Sequence, residues 1–84
     1  MRNPDRIPEL LELINELWAR DPDLRFNQLI YNLQRDYSHE NNNAGRIVEI
    51  ASDGFESVGF DLFSLEDSVF IEFLKIKILN EKNI

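Results

Sequence analysis

His39 is the single histidine of this 84-residue chain, and it sits between Ser38 and Glu40. Serine, histidine and a carboxylate are the parts of a nucleophile–base–orienter relay. That relay needs the three groups to converge from separate elements, and immediate sequence neighbours point different ways. His39 is therefore read as an ordinary surface residue. Carboxylates are the other reactive groups in number. Glu66 and Asp67 could do acid–base chemistry only in a cleft, which so short a chain rarely builds. Asp53, Glu56 and Asp61 lack the ligand spacing of a calcium loop, and the absence of cysteine removes any thiolate metal site. Gly45, Gly54 and Gly59 form neither a GxGxxG nor a P-loop pattern. No catalytic residue, cofactor or metal is assigned, and the chain reads as non-enzymatic.

The elements that would carry any function are clearer. Apolar residues at 7, 10, 11, 14, 17 and 18, and again at 26, 29, 30 and 33, follow the i, i+3, i+4, i+7 spacing of a one-faced helix. Between the two sets lies Asp21-Pro22-Asp23, and a residue before proline is pushed out of the helical region. The segment 5–37 is thus expected to form a helical hairpin, with Asp5 and Asp23 as N-caps. Pro8 falls at the third helical position, where its missing N–H costs nothing. Trp18 and Phe26 are the expected core anchors. The polar run 38–45 is expected to be a mobile loop.

Residues 46–60 allow two readings. Arg46 to Ile50 is rich in β-branched residues, Phe55 to Phe60 alternates weakly, and Ser52-Asp53-Gly54 between them is a turn signal. A β-hairpin is preferred over a short helix through 46–51. Ser64 with Asp67 three residues on resembles a capping box, and the apolar residues that follow predict a C-terminal helix over 65–79, with 80–84 as a frayed tail. The fold class is mainly α with α+β as the variant: one small domain of three helices with an inserted hairpin.

Charge limits the partners. The formal net charge is −7, and between Arg46 and Lys75 there is no basic residue. Such a surface repels phosphate and anionic lipid, so direct nucleic-acid and membrane binding are disfavoured. A helix-turn-helix reading of 7–37 fails on the same ground, because its second helix offers only Arg25 and Arg35. The opening residues hold no apolar leader-like stretch, and a cytoplasmic setting is expected. Glu49, Asp53, Glu56, Asp61 and Glu72 form a candidate acidic face. Tyr31 falls off the apolar stripe near Gln28 and one turn before Arg35, a composition typical of interface hot spots. Arg25, Gln28, Tyr31, Asn32 and Arg35 are the candidate partner-binding set. Trp18, Phe55, Phe60 and Phe63 are expected mostly to fill the core.

Pro22-Asp23-Leu24-Arg25-Phe26, Gln28-Leu29-Ile30 and Asn32-Leu33, with Leu17-Trp18 before them and Asp61-Leu62-Phe63-Ser64-Leu65-Glu66-Asp67 after, resemble a family of small uncharacterised proteins from bacteria and their phages. The resemblance implies an architecture and a bacterial or phage setting, and no activity. It also implies that Arg25, Gln28 and Asn32 act as a set; physically they can orient the Asp21–Asp23 corner and Glu66-Asp67 or bind a partner, and pairing of Arg25 with one of those carboxylates is the preferred reading. The expected function is a small non-catalytic interaction or accessory module that binds a protein partner or itself. The alternative is an acidic inhibitor that mimics nucleic acid and blocks a basic channel.

Overall fold

The computed structural model describes residues 2–82. Their order is α1 (Arg6–Ala19), α2 (Phe26–Glu40), β1 (Arg46–Ile50), β2 (Glu56–Phe60) and α3 (Asp67–Lys82). The fold is mainly α with a two-stranded antiparallel hairpin, and the helical reading of 46–51 is replaced by strand β1. The chain divides into two compact units, one running up to Phe26 and resuming at Leu65, the other Asn27–Ser64.

In the first unit α1 packs on α3. The ends of the pair show its direction. Arg2 and Arg6 reach Glu66 and Asp67 at the start of α3, at 2.7 Å each, while Arg20 after α1 reaches Glu81 near the end of α3 at 2.8 Å. The two helices therefore run parallel, which needs a long connection between them. Leu17, Ile71, Leu74 and Ile78 are buried, and Leu74 is wholly so at 0% exposure. Helix α3 is apolar around much of its circumference. Val69 and Ile76 lie on the side turned away from Leu74 and remain exposed.

Helix α1 starts after Asp5 as expected, but the Asp5 carboxylate makes no capping bond. Instead the Asp5 N–H donates to Asn3 Oδ1 at 2.9 Å, and the carbonyls of Asn3 and Pro4 take the N–H groups of Arg6 and Ile7. At the other end Trp18 closes the corner: its Nε1–H donates to the Leu24 carbonyl at 2.8 Å, and its ring lies 5.6 Å from that of Phe26. Phe26 is 48% exposed, so this pair braces the corner and is not the core anchor expected of it. Asp23 is not the cap of α2, which begins only at Phe26 because residues 21–25 form turns after Pro22. Nor does Ser64 cap α3. The helix begins at Asp67, the Glu66 carbonyl accepts from Val69 and Phe70, and the Asp67 carboxylate is committed to Arg6. Helix α3 runs on to Lys82, beyond the expected end at 79, and Asn83 and Ile84 of the expected tail lie outside the described residues.

In the second unit α2 extends to Glu40, which shortens the expected loop to 41–45. That turn is fixed by side chains and special backbone. Asn41 Nδ2 donates to the Tyr37 carbonyl at 2.8 Å, and Asn42 and Asn43 adopt φ of 59° and 63°, a region asparagine tolerates better than most residues. Gly45 has φ +75°, and a Cβ on it would lie 2.5 Å from the Asp61 carbonyl oxygen. A neighbouring hydrogen bond holds the two backbones this close: the Asp61 N–H donates to the Gly45 carbonyl at 2.7 Å and ties off the base of the hairpin. At the tip the Ala51 N–H donates to the Phe55 carbonyl, which leaves Ser52-Asp53-Gly54 as a three-residue loop. Gly54, with φ +87°, fills the left-handed position such loops require. Leu29, Leu33 and Tyr37 are the buried residues of α2, joined by Ser38, whose Oγ has no hydrogen-bond partner among the described residues. A buried hydroxyl left unpaired costs about 1–3 kcal/mol.

Candidate functional site

The second unit carries most of the sequence-selected residues. Gln28, Tyr31, Asn32 and Arg35 occupy positions i, i+3, i+4 and i+7 of α2, one face of the helix, turned away from Leu29, Leu33 and Tyr37. Arg25 precedes the helix in the corner. Tyr31 is 41% exposed but not idle. Its ring meets Phe60 edge-on with centroids 5.5 Å apart, and its hydroxyl donates to the Val58 carbonyl at 3.4 Å. The outer face of α2 thus leads onto strand β2. Arg35 lies beside Asp36, with Nη2 3.3 Å from Oδ1. Glu66 and Asp67, which the sequence reading linked to Arg25, are engaged by Arg2 and Arg6.

The hairpin itself is a surface. Its register sets Arg46 opposite Phe60, Val48 opposite Val58 and Ile50 opposite Glu56. Side chains alternate along a strand, so these six share one face, while Ile47, Glu49, Ser57 and Gly59 share the other. Every residue of β1 is exposed, Ile47, Val48 and Ile50 included. Across from Ile47 the missing side chain of Gly59 leaves an open groove of about 310 Å³, lined also by Glu49, Ser57, Val58 and Phe60. Two-stranded sheets are marginal in water, and this one shows apolar side chains on both faces.

The acidic candidates of the second unit do not form one face. Glu49 and Glu56 point to opposite sides of the hairpin, Asp53 sits at its tip and Asp61 follows β2, while Glu72 lies on α3 with Lys75 at 3.5 Å. The four in the second unit make no ion pair among the described residues. Asp53 and Asp61 use their Oδ1 atoms to accept the N–H of Phe55 and Phe63, each at 3.0 Å. Those two phenylalanines, expected in the core, are 69% and 95% exposed. Composition hid them. The signal that could have found them is the turn itself, since Asp two residues before Phe in a Gly- or Ser-flanked stretch sets the ring at a corner.

The first unit offers a different kind of site. An open pocket of about 330 Å³ is lined by Arg2, Arg6, Glu9, Glu66, Asp67 and Glu72 among others. Its carboxylates are all engaged, Glu66 and Asp67 by Arg2 and Arg6, and Glu9 and Glu72 by Lys75 beyond the pocket, at 3.8 and 3.5 Å. Arg2 donates twice to Glu66, at 2.7 and 3.0 Å. The hydrogen bond and the guanidinium charge hold the Glu66 carboxyl below its ordinary value and raise Arg2 above its own. Groups this exposed and this paired offer no desolvated acid or base. Among the described residues no three His, Cys, Asp or Glu side chains are grouped so as to hold a metal ion, and no helix is long and apolar enough to cross a membrane. Compared with protein-family models, with curated proteins and with solved structures, this chain finds no match.

Proposed function

We propose that this chain is a small non-catalytic protein-interaction module, and that the hairpin of residues 46–60 with the adjoining outer face of α2 is its working surface. One observation carries the reading. A two-stranded sheet stands with Ile47, Val48 and Ile50 in water, although burying such a side chain is worth about 1.5–3 kcal/mol. Val48 and Ile50 share one side of the sheet and Ile47 lies on the other, and exposed apolar surface on so small a sheet marks a binding element. Gln28, Tyr31, Asn32 and Arg35 supply a polar and aromatic margin beside it, with Arg25 before the helix. The sequence resemblance to small bacterial and phage proteins supports a bacterial or prophage setting, in the cytoplasm.

Affinity capture from bacterial lysate, with nuclease treatment and at low and high salt, tests this. The expected result is a protein partner lost when Val48→Lys is introduced. Capture of nothing beyond the chain's own background contradicts the reading. A second reading has one observation in its favour: Glu49, Asp53, Glu56 and Asp61 carry unneutralised charge on this unit. In that reading the chain is an acidic inhibitor filling a basic nucleic-acid channel. It predicts capture that falls away at high salt and under charge reversal of Glu49 and Glu56, whereas an apolar contact survives both.

A further inference from the structure

Two segments of the second unit repeat one local design. Asp53 holds the backbone of Phe55 and Asp61 holds that of Phe63, through the same Oδ1-to-N–H bond at the same 3.0 Å. Each turn fixes the chain where the ring leaves it, and each ring stands in water. A single exposed aromatic is unremarkable. Here the same residue pair, at the same spacing and with the same bond, brackets strand β2 at both ends. Each ring also stands next to uncompensated charge. Glu49, Asp53, Glu56 and Asp61 form no ion pair among the described residues, and no basic residue occurs from Ile47 to Leu74.

We propose that Phe55 and Phe63 are twin anchors for a protein partner whose apolar pockets are rimmed by lysine and arginine. The proposal rests on the reading of the chain as an interaction module and names the partner's chemistry. Charge selects the occupant. A second copy of the chain brings the same four carboxylates and is repelled. A purely apolar pocket would bury the rings but strip water from Asp53 and Asp61 without replacing it. A basic rim answers both needs, taking the rings into its pockets and the carboxylates onto its cations. Because the turns already hold the backbone, little freedom is lost on binding, and rings placed this way become the few residues that dominate an interface.

Panning a random phage-displayed peptide library against the immobilised full chain tests the proposal. The expected winners combine Leu, Ile or Phe with Lys and Arg. They lose affinity about tenfold or more for the double variant Phe55→Ala, Phe63→Ala, whose melting temperature stays close to that of the parent because both rings are exposed. The double variant Asp53→Asn, Asp61→Asn keeps an Oδ1 acceptor for each turn and removes the charge. Binding to it should weaken and lose much of its salt dependence. Winners that bind the alanine variant equally well overturn the anchors and leave the module reading intact. Acidic or uncharged winners overturn the basic rim. Absence of any enriched peptide counts against both, and self-association of the chain that the alanine variant abolishes would replace the proposed partner by a second copy.

Discussion

Gly45 shows how one residue can hold a surface in place. Its φ of +75° is a conformation that costs an L side chain about 1–2 kcal/mol, and a Cβ on it would collide with the Asp61 carbonyl oxygen. Gly54 has the same backbone hand, at +87°, with open space around it. The two therefore separate strain from collision. Gly54→Ala is expected to cost about 1 kcal/mol, from the backbone alone, and Gly45→Ala clearly more, with the base of the hairpin disturbed. Urea unfolding of both variants, with the amide signals of 46–60 as a local probe, checks this; equal losses would mean that the contact with Asp61 is not holding the hairpin. Residues of this kind were half legible. Ser52-Asp53-Gly54 announced its turn in the sequence, because Gly in that setting has a local cause. Gly45 did not, because what it avoids lies sixteen residues away in Asp61. The exposed rings of Phe55 and Phe63 were misread for a related reason: hydrophobicity says that a ring gains by burial, not that a two-stranded sheet has nowhere to bury it.

At the scale of elements, periodicity revealed which segments are helical but not that α1 packs on α3. Helix α1 was legible from its stripe and from Pro22. That its parallel partner is α3 was not, because the ion pairs Arg2–Glu66, Arg6–Asp67 and Arg20–Glu81 each join residues more than sixty positions apart. The start of α2 moved for a local reason, the turns after Pro22, and the start of α3 for a long-range one, since the Asp67 carboxylate serves Arg6 and not a cap. Two expectations follow for α3. Leu74→Ala should cost about 2–5 kcal/mol, whereas Ile76→Ala, on the exposed side, should cost well under half of that; chemical denaturation of the two variants decides, and the reverse order would mean that the other side of α3 faces α1. Glu66 gives the second. Because Arg2 holds its pKa below the ordinary 4.5, its contribution to stability is complete above that value and is lost as pH falls through the lower folded value. Wild type and Glu66→Gln should therefore differ most at neutral pH and converge in acid, by a small amount, since both partners are exposed. A difference that grows on acidification would contradict the pairing.

The whole molecule has a net charge of −7 that is unevenly neutralised. In the first unit the carboxylates of Glu9, Glu16, Glu66, Asp67, Glu72 and Glu81 have cationic partners, while those of Asp5, Glu12, Asp21 and Asp23 make no ion pair among the described residues. In the second, the hairpin carries its charge and its apolar residues together into solvent. Both units expose apolar side chains, but on the hairpin they stand beside carboxylates that make no ion pair among the described residues. The most direct measurement is site-specific photo-crosslinking in bacterial cells, with a benzoylphenylalanine at position 48 on the hairpin or, as control, at position 12 on α1. The account predicts a discrete adduct with another protein from position 48 and none from position 12. An adduct from position 12 alone, or none from either, would contradict it.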